Sequence, residues 1–246
     1  MPIAPNFTSV LLKEFEINFT QCLPSGCLKY TELCNILQLT AATHADLGGI
    51  SFSDMQEFNQ AWVLSRMRVE IDSLPQWKDT VTVKTWINTL ENSRSVRALE
   101  IYRNGKKIIG CETFWAVFNT EKRRPEPLAL NHEHFQLFPH QKATHESFSK
   151  ININPEKEEV FGKTVILSDL DIVNHVNHVK YLEWCMDVVD ENIILKQKIK
   201  SFEMNFMKEL SLRDQVAIHE YITDEAIVFS ITKEDKNCFA LQLNLV

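Results

Sequence analysis

Residues 168–184, SDLDIVNHVNHVKYLEW, bring two aspartates, two histidines and two asparagines into a stretch whose later part has a helical apolar period. A carboxylate and an imidazole held together can take a proton from water or lend one to a leaving group, so this stretch carries the groups of acid–base chemistry. Asp171, just ahead of a helix, also suits an N-cap, and His175 and His178 at i and i+3 could face one metal ion. No further ligand of matching spacing accompanies the histidines, so neither a metal nor a cofactor is expected.

Such side chains need a scaffold, and the chain contains a similar one twice. RVEIDSLPQWKDTVTVKTW (68–86) and EMNFMKELSLRDQVAIHEY (203–221) superpose without a gap when Asp79 is set on Asp214. Val69 and Ile71 then match Met204 and Phe206, Lys78 matches Arg213, and Val81 and Val83 match Val216 and Ile218. Both copies alternate apolar and polar residues on either side of a polar corner, the pattern of two half-buried antiparallel strands. More strand-like sequence follows each, with an Asn104-Gly105 hairpin turn in the first and a polar turn near Asp235 in the second.

Upstream of each run lies one helical candidate. Leu28, Leu33, Ile36, Leu37 and Leu39 mark the first, closed by Gly48-Gly49; Val179, Leu182, Met186 and Val189 mark the second. Each half therefore reads strand, helix, antiparallel strands, an α+β arrangement satisfied if the sheet curls around the helix. Residues 1–130 form the first unit and 159–246 the second, packed as a pseudo-dimer. Residues 131–158, rich in Pro, His, Asn and charge, are the linker.

The copies differ where the chemistry would be. With Thr20 set on Ser168, Leu23 stands opposite Asp171 and Cys27 opposite His175, while Leu74 stands opposite Glu209. Burying charge is costly unless the charge is paired or used, so the second copy is the reactive one and the first a pocket wall.

These residues carry a resemblance. The strings SDLDIVNHVNHVKYLEW, FMKELSLRDQV, PQWKDTVTVKTW and FWAVFNTEKRRPEPL resemble the acyl-acyl carrier protein (acyl-ACP) thioesterase family of plants and bacteria, over nearly the whole chain. The resemblance implies a tandem hotdog fold, each half an antiparallel sheet wrapped around a long helix. It also implies hydrolysis of the thioester of fatty acyl-ACP, which releases the fatty acid and ends chain elongation in fatty-acid biosynthesis. The family motif Asp-x-Asn-x-His-Val-Asn and its downstream acid fall on Asp171, His175, Asn177 and Glu209; Val173 stands where the first Asn belongs, and the asparagine is Asn174. Asp171 or Glu209 would then be the general base, His175 would polarise the water or the carbonyl, and Asn174 or Asn177 would fix geometry. The backbone at Val176 and Asn177, at a helix start with unpaired N–H groups, is the candidate oxyanion site.

Acyl carrier protein is acidic, so its docking site should be basic. Lys196, Lys198 and Lys200 follow the reactive helix closely and are the stronger candidates, ahead of Lys122, Arg123 and Arg124. Two other readings stay open: a hotdog thioesterase acting on acyl-coenzyme A, and a non-hydrolysing acyl or acyl carrier protein binding protein, because Val173 replaces the family Asn. The formal net charge of -7 argues against a general nucleic-acid binder. No apolar run is long enough for a membrane span, and the start lacks a secretory leader pattern. Six scattered cysteines without a CxxC pair fit a reduced, cytoplasmic setting. Edge pairing into a homodimer is an open alternative to a self-sufficient monomer.

Overall fold

In the computed structural model, which describes residues 3–154 and 156–246, the first half runs β1 (Val10–Glu16), α1 (Tyr30–Leu47), α2 (Phe52–Gln56), β2 (Gln60–Ile71), β3 (Thr80–Glu91), β4 (Arg94–Arg103), β5 (Lys106–Asn119) and β6 (Arg124–Pro125). The second half runs β7 (Glu158–Thr164), α3 (His178–Met186), α4 (Glu191–Leu195), β8 (Ile199–Phe206), β9 (Gln215–Ile222), β10 (Ala226–Lys233) and β11 (Lys236–Leu245). The strands form one antiparallel sheet in the order β1-β3-β4-β5-β2-β8-β11-β10-β9-β7, with β6 added to β5. The two halves meet at its centre, where β2 pairs with β8 from Arg66↔Asn205 to Glu70↔Ser201.

The polar corners that align in the sequence also build alike. Lys78 and Arg213 both take positive φ, 70° and 68°. Asp79 accepts the Gln76 N–H at 2.8 Å and pairs with Arg103; Asp214 accepts the Ser211 N–H at 3.0 Å and pairs with Lys233. A short carboxylate that folds its own turn and takes a cation from the facing hairpin explains why the same residue recurs at both corners. The Asn104-Gly105 and Glu234-Asp235 hairpins are two-residue turns with positive φ at both positions, as right-twisted antiparallel strands require.

Helix α1 has 18 residues and buries Leu33, Cys34, Ile36, Leu37, Thr40 and His44 against the sheet. Leu39 departs from the expected stripe and is 54% exposed. Helix α3 is only nine residues long, so the long helix expected in each half exists in the first alone. It stops at Asp187, and directly after the Val188-Val189 pair Asp190 caps α4 by accepting the Asn192 N–H at 2.7 Å. Val189 therefore lies beyond the helix on which its spacing had placed it. Leu33 and Leu37 of α1, Leu182 and Cys185 of α3, and Val69, Phe202 and Phe239 of the sheet belong to one apolar core that runs through both halves.

The stretch expected to be a plain linker is a strap across the outer face of the sheet. It passes β3, where Trp86 and Asn88 donate to the Gln141 carbonyl at 2.9 and 2.7 Å. It then crosses the centre, where Glu112 accepts the N–H of Ala143, Glu70 those of His145 and Glu146, and Glu203 that of Ser149. Asn205 accepts the Ile151 N–H at 2.9 Å, and Lys157 reaches Ser230 at 2.9 Å. A Cβ at Gly110 would collide with the Ala143 carbonyl, which is why the strap crosses β5 over a glycine. Buried polar side chains on the outer face thus satisfy the strap's backbone, and the strap satisfies them.

Candidate active site

The lead-in to each helix has one backbone design. In the first half a 3-10 turn at Phe19–Gln21 is followed by Leu23, whose N–H donates to the Cys27 carbonyl at 2.8 Å, and the Leu28 N–H donates to the Pro75 carbonyl at 2.8 Å. In the second a turn at Leu167–Asp169 is followed by Asp171, whose N–H donates to the His175 carbonyl at 2.9 Å, and the Val176 N–H donates to the Leu210 carbonyl at 2.9 Å. The alignment of Leu23, Cys27 and Leu74 with Asp171, His175 and Glu209 is thus a correspondence in space. Gly26 at φ +81° also matches Asn174 at φ +62°.

His175 Nε2 lies 3.6 Å from Glu209 Oε2, with both side chains about one-third exposed at 33%. The same carboxylate oxygen accepts a hydrogen bond from Arg123 Nη2 at 2.6 Å. Arg123 comes from the first half, on the turn between β5 and β6. The buried Asn119 side chain folds that turn by accepting the N–H groups of Glu121 and Lys122 at 3.1 and 2.7 Å. Arg123 itself sits at φ +54° with its guanidinium 5.7 Å from the Phe118 ring. The cation beside Glu209 is therefore positioned by the half that lacks the acid and the imidazole.

Asp171 has a different task from Glu209. Its Oδ1 accepts the N–H of Val173 at 3.0 Å and that of His175 at 3.4 Å, so it fixes the loop that presents the imidazole. Val173, in the place of the family asparagine, contributes its backbone to that turn, and its side chain is exposed. Asn177 is the N-cap of α3, its Oδ1 accepting the Val179 N–H at 3.0 Å. Asn174 is exposed and supplies the left-handed turn residue; its side chain joins none of the contacts among Asp171, His175 and Glu209.

The expected oxyanion donors are already committed. The Val176 N–H is given to the Leu210 carbonyl and the Asn177 N–H to the Asp169 carbonyl, each at 2.9 Å. These two amides close the lead-in onto the β8–β9 loop and the turn before it, which leaves neither free to meet a substrate oxygen. Lys196, Lys198 and Lys200 are all exposed, at the end of β8 away from Glu209. Lys200 and Phe206 are separated by about 20 Å at the usual strand rise. His178 packs edge-on against Phe206 with ring centroids 6.1 Å apart, and burial lowers its pKa to about 4.

Two residues escaped the sequence reading. Arg123 was visible only as part of a basic run, because its partner lies 86 positions away. Tyr181 was visible in principle, since the same alignment puts it opposite Leu33. It is buried, and desolvation pushes its phenol well up, with the charges of Glu209 and Asp171 adding to the effect. Tyr181 therefore keeps its hydroxyl proton at neutral pH.

Comparison with known proteins gives a consistent picture. The model described as "Acyl-ACP thioesterase N-terminal domain" matches residues 9–133, and the one described as "Acyl-ACP thioesterase C-terminal domain" matches residues 144–243. The chain is 29% identical over 197 residues to a chloroplastic palmitoyl-acyl carrier protein thioesterase of Arabidopsis thaliana, covering 74% of this chain and 47% of that protein. It is 26% identical over 221 residues to a chloroplastic dodecanoyl-[acyl-carrier-protein] hydrolase of Umbellularia californica, covering 84% of this chain and 58% of the relative. This chain thus spans about half the length of the curated relatives it matches. Among solved structures, an acyl-ACP thioesterase from Bacteroides thetaiotaomicron superposes with a TM-score of 0.88 at 24% identity over 97% of this chain and 98% of that one. The 12:0-ACP thioesterase from Umbellularia californica does so with a TM-score of 0.83 at 20% identity over the same shares. The fold is the tandem hotdog of these neighbours.

Proposed function

Because the chain belongs to the acyl-ACP thioesterase family, we propose that it hydrolyses the thioester of a fatty acyl-ACP, with its second half carrying the reaction and its first half walling the acyl site. The observation that supports this most is the contact of His175 with Glu209 at 3.6 Å, at positions where the otherwise matching first half has Cys27 and Leu74.

The Glu209 carboxylate, 3.6 Å from Nε2 of His175, favours the tautomer that carries the proton on Nε2, which leaves the Nδ1 lone pair to take a proton from water. The oxygen of that water bonds to the carbonyl carbon, the C–S bond breaks, and the proton passes to the departing sulfur. The products are a free fatty acid and the carrier thiol. Asp171 keeps the His175 loop in register, and Arg123 places a positive charge beside the pair.

Among the described residues no helix is long and apolar enough to cross a membrane. The six cysteines are free thiols, five of them buried, which supports a reducing, cytoplasmic setting. The sheet ends at β1 and β7, so a homodimer would pair through one of these edges.

The test is release of free thiol from a panel of acyl-ACP substrates of different chain length, by wild type, His175→Ala and Glu209→Gln, with folding followed by circular dichroism. Turnover by wild type and its loss in folded variants is the expected result. A wild type that binds acyl-ACP tightly and releases no thiol from any chain would sink the hydrolase reading in favour of the binding protein. Faster turnover of the same acyl chain on coenzyme A would move the carrier assignment instead.

A further inference from the structure

On the outer face of the first half the strap leaves one stretch of sheet uncovered. There a cleft of about 450 Å³ is lined by Arg66, Ser93, Arg94, Phe114, Pro125 and Phe148. A second cleft of about 430 Å³ shares Ser93, Arg94 and Phe114 with it and has Glu91 on its wall. Phe148, from the strap, stacks on Phe114 with ring centroids 5.9 Å apart and an interplanar angle of 25°. Among the described residues neither the Arg66 nor the Arg94 side chain forms a hydrogen bond or ion pair. The neighbouring Arg68, by contrast, is held by Glu70, Glu146 and Glu203.

Register ties this cleft to the active site. Arg66 stands opposite Phe114 on β5 and opposite Asn205 near the end of β8 that leads to Glu209. Arg94 stands opposite Ala116. Phe114, Ala116 and Phe118 share one face of β5 and span about 13 Å. Over Phe118 lies the Arg123 guanidinium, which bonds Glu209. A row of cations and half-buried aromatic rings thus leads from the reacting pair to two arginines with no carboxylate partner.

We propose that Arg66 and Arg94 bind the phosphate of the phosphopantetheine arm that carries the acyl thioester. The inference rests on the thioesterase reading and adds to it where the arm is gripped. Guanidinium groups suit phosphate oxygens because they offer paired donors in a plane, and aromatic walls strengthen the attraction by excluding water. In a chain of net charge -7 such a site attracts an anion only locally. Glu91, on the wall of the second cleft, sets the phosphate on the Arg66 side. The exposed lysines at 196, 198 and 200 lie at the far end of β8, away from this row of residues.

The phosphate occurs in both carriers, acyl carrier protein and coenzyme A, so the experiment isolates it first. One acyl chain is presented on phosphopantetheine and on pantetheine lacking the phosphate, and kcat/KM is measured for wild type and for the Arg66→Gln/Arg94→Gln double variant. Wild type is expected to favour the phosphorylated arm by about ten- to a hundredfold, mostly in KM, and the double variant to bring that ratio close to one. Because the ratio is taken within one protein, loss of folded enzyme cancels from it. Equal use of both arms by wild type, or an undiminished preference in the double variant, overturns the subsite while leaving the hydrolase standing. No turnover of either arm, nor of acyl-ACP, overturns the hydrolase reading and the subsite with it. The same ratio of double variant to wild type, measured on acyl-ACP and on acyl-coenzyme A, assigns the phosphate to the carrier that loses more.

Discussion

The two halves share a backbone down to single hydrogen bonds and differ in what that backbone carries. Both present a helix lead-in closed by the same pair of bonds, and both fold a corner around an aspartate. The first fills the lead-in with Leu23, Cys27, Leu33 and Leu74; the second with Asp171, His175, Tyr181 and Glu209. Cys27 and Leu74 are 2% exposed, whereas the side chains of His175 and Glu209 are 33% exposed. On a shared lead-in backbone the second half carries polar groups where the first carries apolar ones, and its pair of side chains is open to solvent. The first half kept a share in the site through Arg123, which is why the two copies are not an active unit and a spare.

The largest expected effect comes from erasing that difference. Giving the second half the first half's residues at the pair, His175→Cys with Glu209→Leu, should lower thiol release by about 10²–10⁴-fold. The fold should survive, because Cys27 and Leu74 occupy the same backbone in the twin. A folded double variant that retains most of its rate would place the chemistry elsewhere.

The halves are also joined by the strap, and its buried carboxylates can be tested next. Glu203 is buried, accepts the Ser149 N–H and faces Arg68, and desolvation raises its pKa. Glu203→Ala should cost about 2–4 kcal/mol in denaturant unfolding, because it strands a backbone donor and weakens the support of a buried cation. Glu203→Gln keeps an acceptor and should cost less. Equal losses for the two variants would mean that packing rather than hydrogen bonding holds the strap.

A third contrast lies in the buried histidines. In the first half His44 is fully buried; its Nε2–H donates to the Thr8 carbonyl at 3.0 Å and its Nδ1 accepts from Arg97 at 2.7 Å. Burial, with the Arg97 charge, lowers its pKa to about 3. A folded-state pKa below the unfolded value means that the unfolded chain binds the proton first, so this contribution to stability is present above pH about 6.5 and is lost as pH falls toward about 3. The slope is about 1.4 kcal/mol per pH unit within that window. His44→Gln should flatten the dependence of unfolding free energy on pH between 4 and 6 by about one proton, and an unchanged slope would remove His44 as its source. His178 titrates in the same direction, but it is only half-buried and contributes less.

Much of this was legible in the chain because it is local. The Asp79 and Asp214 corners, the Asn104-Gly105 hairpin and the His175 lead-in are each set by residues within a few positions of one another. The strap was not legible: its partners are backbone N–H groups and carboxylates on distant strands, and neither leaves a period in the sequence. The amides of Val176 and Asn177 looked free because a helix start leaves N–H groups unpaired on average, while here the Leu210 and Asp169 carbonyls take them. Leu39 fitted a helical spacing without facing the core, since spacing fixes a face only when the neighbouring elements are known.

The smallest expected effect bears on the one departure from the family motif. Asn174 stands one place after the motif's asparagine, with φ +62°, where the twin has Gly26 at φ +81°. Asparagine tolerates this left-handed conformation better than most residues, and glycine tolerates it without cost. If Asn174 serves the turn alone, Asn174→Gly should leave thiol release within about twofold and stability within about 1 kcal/mol, as the twin's glycine implies. Asn174→Ala should destabilise by about 1 kcal/mol, because alanine keeps the Cβ that crowds the following carbonyl oxygen but loses the short polar side chain that makes this conformation tolerable for asparagine. A tenfold or greater loss of rate in the glycine variant, with stability intact, would mean that the amide reaches the reaction despite its exposed position. The comparison of the halves would then gain a further reactive position, and Asn174 would do from the next residue what the motif's asparagine does from the place held here by Val173.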